Sequence, residues 1–598
     1  MANRILFPIA NSLQPQSAKC LSFLFALTIW SGGLLPTFAQ TPPTFTQVIV
    51  FGDSLSDTGN VRNRTGSASG GTVDYPSHTF NYSNGRFTND NGCDPSGTIY
   101  AGVWHEQLAQ TFLGLPAATN SLDGGFNYAF GGGTTNDGTH EEVAVSTPFG
   151  DVTITVDDMG KQMDDFLASH VVDPNALYVV WGGGNDLRND DSPGNVTETA
   201  ARATALAGRL ANAGAQYIMV PNVPPLGDIP RYLNDPPTEQ SKNFASANYR
   251  NELNADLDAL LASLAPQGIA PTIYRPDAWR NTIRIFSDPS RYGLIFTADP
   301  AQNNNVNPDS VLFWDDVHPT TAGHYQIAKA AYDTITVPPA PLSKALNIAT
   351  RVFVDTGERV PIAGFIVTGD VSKRVLIRGI GPSLAASGVP NPLADPTLTL
   401  FDNKGGTIMM NNNWRDSQEP EIAATGIPPQ NDLESAIVAN LPPGHYTTAL
   451  TGVNATTGNG LIEVYDLESE NSTLSNLSTR GFVGTGDNVM IGGLIVGSGD
   501  SAIVVFRAIG PSLASSGIAN PLLDPTIELH DGNGTVLGFN DDWRDPQLQA
   551  VYATLLAPSD DRESAIVAPF LAAGNYTAIV RGKGDTTGVA LVEAYRIP

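Results

Sequence analysis

Ser54 stands in FGDSLSDTGN (51–60), directly after the apolar run VIVF, and His318 stands three residues after Asp315 in FWDDVHPTTAGHYQIA (313–328). A hydroxyl, an imidazole and a carboxylate are what a covalent acyl transfer needs: a nucleophile, a base for its proton, and an anion that orients the base. The three-residue spacing lets Asp315 reach one ring nitrogen of His318 from the same turn, fixing its tautomer. Asp316 is one residue out of that register and reads as a surface or capping group. His324 is the nearest rival base, and its place inside the last helical stretch reads as a surface position. The alternative for Ser54 is a turn or helix-capping hydroxyl, the ordinary use of a Ser-Asp-Gly cluster after a strand.

The elements that must position these groups are legible as short apolar runs. QVIVF (47–51), NYAF (127–130), ALYVVW (176–181), QYIMV (216–220) and IAPTIY (269–274) each read as a buried parallel strand followed by turn residues. Helical patterns lie between them; in NELNADLDALLASL, Leu253, Leu257, Leu260, Leu261 and Leu264 recur on one face. Five such strands predict a three-layer α/β/α sheet, in which active groups gather beyond the carboxyl ends of the strands. Ser54, Gly132 and Asn185 all fall there, with Ser54 expected to open a helix whose N-terminus favours negative charge.

GDSL (52–55), NGRFTND (84–90), GGFNYAFGGGTT (124–135), WGGGNDL (181–187) and the Asp315/His318 block together resemble the GDSL, or SGNH, hydrolase family over residues 46 to 335. The resemblance implies a flavodoxin-like α/β/α domain, a lipase or esterase activity and no metal cofactor. It also implies an acyl-enzyme on Ser54, with His318 as general base and Asp315 orienting it. The oxyanion donors it implies are the backbone N–H groups of Ser54 and Gly132 and the side-chain amide of Asn185. Gly131 is the alternative register for the glycine, and Asn185 could instead cap a helix. A metal-holding role for Asp53 and Asp57 lacks the paired downstream histidines of metallophosphoesterases, so both read as groups that shape the serine turn, with Asn60. Two stretches depart from the compact family pattern and read as rims of the site: residues 89–102 and the acidic 136–158.

The chain has 598 residues and is 41% apolar, enough for several cores. Arg4 and Lys19 precede an apolar run, Cys20 to Leu35, and Thr37-Phe38-Ala39, which reads as a signal peptide over 1–39 and predicts an exported protein, secreted or in the cell envelope. Without Cys20 the mature chain keeps only Cys93, in NGCDPSG, which reads as an inert loop thiol. A net charge of −28 argues against nucleic acid or anionic lipid surfaces as partners. The α/β region occupies 40–336 and VPPAPLS opens a Pro-rich linker, 337–345. Beyond it the chain repeats itself. IRGIGPSLAASGVPNPLADPTL (377–398) returns as FRAIGPSLASSGIANPLLDPTI (506–527), NNWRD (412–416) as DDWRD (541–545), and ESAIVA at 434 and 563. Two modules, 346–468 and 474–598, read as β-sandwich-like. Their arginines and tryptophans read as packing anchors or a ligand site, and the turns FDNKGG and HDGNG as solvent turns that do not match calcium-loop spacing. The expected partners are a small-molecule, lipid or acylated-carbohydrate ester, and a cell surface or polymer for the repeats. The contrasting reading is a surface adhesin or glycan-binding protein in which the repeats carry the function.

Overall fold

The computed structural model describes residues 43–93, 98–295, 299–468 and 472–597, so the expected signal peptide, 1–39, lies outside the described residues. Among the described residues no helix is long and apolar enough to cross a membrane. The chain divides into two units. One holds the described residues through Pro341 together with Pro546–Ala557; the other holds Leu342–Asp545 and the residues from Pro558 on.

Among its described residues the first unit has six strands: β1 (Val48–Gly52), β2 (Thr139–Thr147), β3 (Gly150–Asp157), β4 (Leu177–Trp181), β5 (Tyr217–Met219) and β6 (Thr272–Tyr274). β1, β4, β5 and β6 pair in that order, all parallel, while β2 and β3 form a separate hairpin. Every residue of β1 and β4 is buried, as expected for strands covered on both faces. Alternate side chains serve two cores. Ile49, Phe51, Tyr178, Val180 and Ile218 pack against helices Met159–Ser169, Pro193–Asn212 and Pro236–Leu264. Val48, Val50, Leu177, Val179 and Met219 pack with Trp104, Leu108 and the inner face of helix Thr321–Thr336. This is the α/β/α arrangement that the apolar runs predict.

NYAF is not a regular strand. It runs beside β1, bonded by Val50 N–H to Phe126 O, Tyr128 N–H to Val50 O and Phe130 N–H to Gly52 O. Its outer edge is taken by side chains and a loop instead of a further strand. Asn60 Nδ2 donates to Asn127 O and Ala129 O, and Asn127 N–H donates to Thr119 O. With this segment at the edge, the order is that of a flavodoxin-like sheet, whose direction of succession reverses between β1 and β4. Ser54 and Asn185 follow those two strands.

Pro546–Ala557, which the sequence places in the second repeat, clusters with the first unit, where helix Leu548–Ala553 packs on helices Pro236–Leu264 and Ala278–Ser287. In the second unit the repeats are mostly antiparallel strands sharing one core, from Ile348 and Phe365 to Val580 and Val592. The first strand of each repeat, Ala345–Val354 and Ser472–Val483, pairs with the last strand of its own repeat and with the second strand of the other. Equivalent residues meet where the two first strands face each other: Thr350 Oγ1 donates to Thr479 Oγ1 at 2.7 Å, and Phe353 pairs with Phe482. The repeated motifs have matching local uses. Arg378 pairs with Glu463 at 2.8 Å and Arg507 with Glu593 at 2.9 Å. Glu434 accepts the N–H groups of Gly381 and Ser383, as Glu563 accepts those of Gly510 and Ser512. Arg415 lies over Trp414, and Arg544 over Trp543. In the turns, Asp402 and Asp531 each accept two backbone N–H groups of their own loop.

Candidate active site

Ser54 sits on a turn, not at a helix start. The N–H groups of Ser56 and Asp57 bond Asp53 O, each at 3.0 Å, and the helix begins only at Asn60. The loop is tied by Asp57, whose carboxylate accepts Gly59 N–H (2.7 Å), Asn60 N–H (2.8 Å), Val61 N–H (3.1 Å) and, from the next loop, Gly131 N–H (3.0 Å). One buried carboxylate therefore fixes both the serine turn and the glycine loop.

Ser54 Oγ lies 2.8 Å from His318 Nε2, and His318 Nδ1 lies 2.7 Å from Asp315 Oδ2. Asp315 also caps its own turn: Oδ1 accepts the N–H groups of Val317 (2.7 Å) and His318 (2.6 Å). Tyr82 OH donates to Asp315 Oδ2 at 2.7 Å. Burial pushes the Asp315 carboxyl up, but the His318 charge and these donors outweigh it and hold it at about 2. An ionised Asp315 keeps the imidazole proton on Nδ1, which leaves Nε2 to accept from Ser54 O–H. NGRFTND packs on this loop: Phe87 stacks on the His318 ring with centroids 5.1 Å apart, and Thr88 Oγ1 donates to Pro319 O.

The two glycines differ in where their N–H groups go. Gly131 N–H is taken by Asp57, whereas among the described residues the N–H groups of Ser54 and Gly132 have no acceptor. Gly132 has φ +83°, a conformation that favours glycine, and a Cβ there would also displace the Glu142 carboxylate, 1.7 Å away. Asn185 is the second residue of helix Gly184–Asn189 and makes no cap. Its Nδ2 donates to Gly133 O at 3.0 Å and its Oδ1 accepts from Arg188 Nη1 at 3.1 Å. These bonds fix the amide orientation and leave Nδ2 a second hydrogen.

Several expectations need correction or a partner. His324 is wholly buried, not at the surface, because its face of helix Thr321–Thr336 points into the core; Trp104 N–H donates to its Nδ1, and burial pushes its pKa down to about 3. The Asp-x-x-His spacing also occurs at Asp137 and His140. There the ring bonds Asp158, at 3.1 Å. Asp316 is exposed and pairs with Arg231. Cys93 accepts from Asp90 N–H, and burial pushes its thiol up to about 12, so it stays protonated. Tyr82, Phe87 and Arg188 were not singled out; only Arg188, one helical turn from Asn185, carried a spacing signal. Of the two rims, β2 and β3 line the site through Glu142, Val143, Ala144 and Ile154, whereas Asn89 instead clamps Thr321.

Asp53 is 5% exposed and accepts from Leu55 N–H. Burial pushes its carboxyl from 3.8 up to about 6, and does the same to Asp57. A raised folded pKa means that the stabilisation is complete below about 3.8 and is lost as pH rises through about 6. Asp53→Asn keeps the acceptor for Leu55 and removes the titration. Thermal melts between pH 4 and 7 are therefore expected to show a shallower fall of Tm in the variant, Asp57 and the other buried carboxyls supplying what remains; an unchanged slope contradicts this.

Two depressions meet at Ser54. One is apolar and lies under the carboxyl ends of β4, β5 and β6. The other is polar, with Tyr75, Tyr82, Glu142 and Arg231 among its walls. Asn185 and Arg188 line both. Among the described residues, the one group of side chains spaced to hold a metal is Asp524, Asp541 and Asp542 in the second repeat, where Lys583 Nζ lies 2.6 Å from Asp541.

A sequence model of the GDSL-like lipase/acylhydrolase family matches residues 48–331. Esterase EstA of Pseudomonas aeruginosa and esterase EstA of Pseudomonas putida are each 27% identical over 359 residues, 55% of this chain and 51% of theirs. The chain spans about half the length of these curated relatives. A solved member of the lipolytic protein G-D-S-L family from Veillonella parvula is 14% identical, with a TM-score of 0.25, over 48% of this chain and 96% of that one.

Proposed function

We propose that this chain, whose residues 48–331 are a GDSL-like lipase/acylhydrolase domain, is an exported serine esterase that hydrolyses carboxylic esters through an acyl-enzyme on Ser54. The observation that carries the reading is the unbroken run of short contacts from Ser54 Oγ through His318 to Asp315. His318 Nε2 takes the Ser54 proton as Oγ attacks the ester carbonyl, and returns it to the leaving alcohol. A water then gives its proton to the same nitrogen and attacks the acyl-enzyme, releasing the acid and restoring Ser54. The oxyanion of each tetrahedral intermediate faces the N–H groups of Ser54 and Gly132 and the amide of Asn185.

Covalent trapping tests this directly. A nitrophenyl ester mixed with the full chain and quenched in acid is expected to leave the acyl mass on the peptide that carries Ser54. Asn185→Ala, which removes one donor and leaves the nucleophile, is expected to lower kcat by about a hundred- to a thousandfold with little change in KM. Full kcat in that variant would remove Asn185 from the oxyanion site. Export is supported by Arg4 and Lys19 ahead of the apolar run Cys20 to Leu35. The repeats, which contain none of the groups above, are proposed to hold the enzyme at a polymeric or cell-surface substrate.

A further inference from the structure

An apolar depression lies beside Ser54. Its floor follows one face of helix Thr321–Thr336: Gly323, Ile327 and Ala331 stand at i, i+4 and i+8. Eight residues of helix span about 12 Å. We propose that this depression takes the acyl chain of the ester and that the chain is a hydrocarbon of about eight to ten carbons, each advancing about 1.3 Å for a carbon–carbon bond of about 1.5 Å. The inference rests on the serine-esterase reading and names its substrate class.

The walls are mostly apolar, Asn281 and Thr282 being uncharged polar residues among them. Val223, Leu226, Ile285 and Phe313 face the helix stripe. Trp181 presents carbon only, because its Nε1 donates to Asn222 O at 3.0 Å, and Trp104, wholly buried behind the wall, has its Nε1 taken by Ser56 Oγ at 3.1 Å. Asp53 and Arg188 are the charged residues that line it, and both belong to the Ser54 end. A chain bonded to Ser54 Oγ through its carbonyl would therefore leave every polar atom at the mouth and run its methylenes along the helix. An acetyl group would leave most of this apolar surface without a partner. Ala330 and Ala331 are the lining residues furthest along the helix from Gly323, so their small size is expected to set how long a chain fits. Each methylene buried in such a channel is worth about fourfold in kcat/KM until the end is reached.

The test is a panel of nitrophenyl esters from acetate to hexadecanoate with the full chain. The expected result is a kcat/KM that rises at least tenfold from acetate to octanoate or decanoate and then falls. Ala330→Trp is expected to lower the decanoate-to-acetate ratio at least tenfold, and the milder Ala331→Val gives the same sign should the tryptophan fail to fold. Calorimetric titration of Ser54→Ala with sodium decanoate reads the channel without turnover, and binding that Ala330→Trp weakens is expected. A ratio that favours acetate, or decanoate that binds both proteins equally or not at all, overturns the inference. A wild-type chain that turns over no ester of any length overturns the esterase reading instead, while decanoate binding still decides the channel.

Discussion

Ser54→Ala is expected to lower kcat on a soluble nitrophenyl ester by about a millionfold, with the circular dichroism spectrum and melting curve close to those of the parent. The magnitude follows from how such groups act together: removing the nucleophile of a Ser-His-Asp unit removes the covalent route, and the base and orienting acid then have nothing to activate. What remains is the water reaction assisted by the oxyanion donors and by binding, on the order of a thousandfold over solution. The fold is expected to survive because Ser54 makes one side-chain contact of consequence, to His318 Nε2. The turn around it is held by Asp53 and Asp57. Activity within tenfold of the parent would leave the short Ser54–His318 contact without a chemical role and return the serine to the turn-hydroxyl reading.

What could be read from the sequence was local in the chain. Asp315 and His318 are three residues apart, so their pairing follows from one turn, and the apolar runs 47–51 and 176–181 announce buried strands because both of their faces are covered. Ser54 and Asn185 follow from those strands by the rule that places ligands at the carboxyl ends. Contacts between distant segments were not legible. Tyr82 donates to Asp315 across 233 residues, and nothing in FNYSNGRF marks the tyrosine as a second-layer donor. NYAF carries the composition of a strand, yet Asn60 and the loop at Thr119 take its outer backbone groups, which no periodicity can announce. That Asp57 engages the N–H group of Gly131 rather than Gly132 is likewise a contact across 74 residues. The repeats were visible as repeats, but the exchange of pairing between their first and second strands lies in register, and register is set by the packed core rather than by composition.

Asp315→Asn is expected to cost about ten-thousandfold in kcat at neutral pH with little change in KM, the loss seen when the orienting carboxylate of such a unit becomes an amide. The geometry here gives the cause. Asp315 Oδ1 already accepts the N–H groups of Val317 and His318, so the asparagine oxygen is held in that position and the amide nitrogen must face His318 Nδ1. An N–H group there favours the tautomer with the proton on Nε2, which can no longer accept from Ser54. It also meets Tyr82 OH as a donor where the carboxylate was an acceptor. The same substitution removes a charge held at about 2, below its ordinary 3.8. A depressed carboxyl contributes stability that is present above about 3.8 and lost as pH falls toward 2, so the parent is expected to lose Tm over that acid range more steeply than Asp315→Asn. Tyr82→Phe separates the two roles. It leaves the carboxylate and its bond to His318 in place, and its kcat is expected within about tenfold of the parent, one hydrogen bond being worth about that much. A loss as large as that of Asp315→Asn would mean that Tyr82, rather than the charge, holds the imidazole in register.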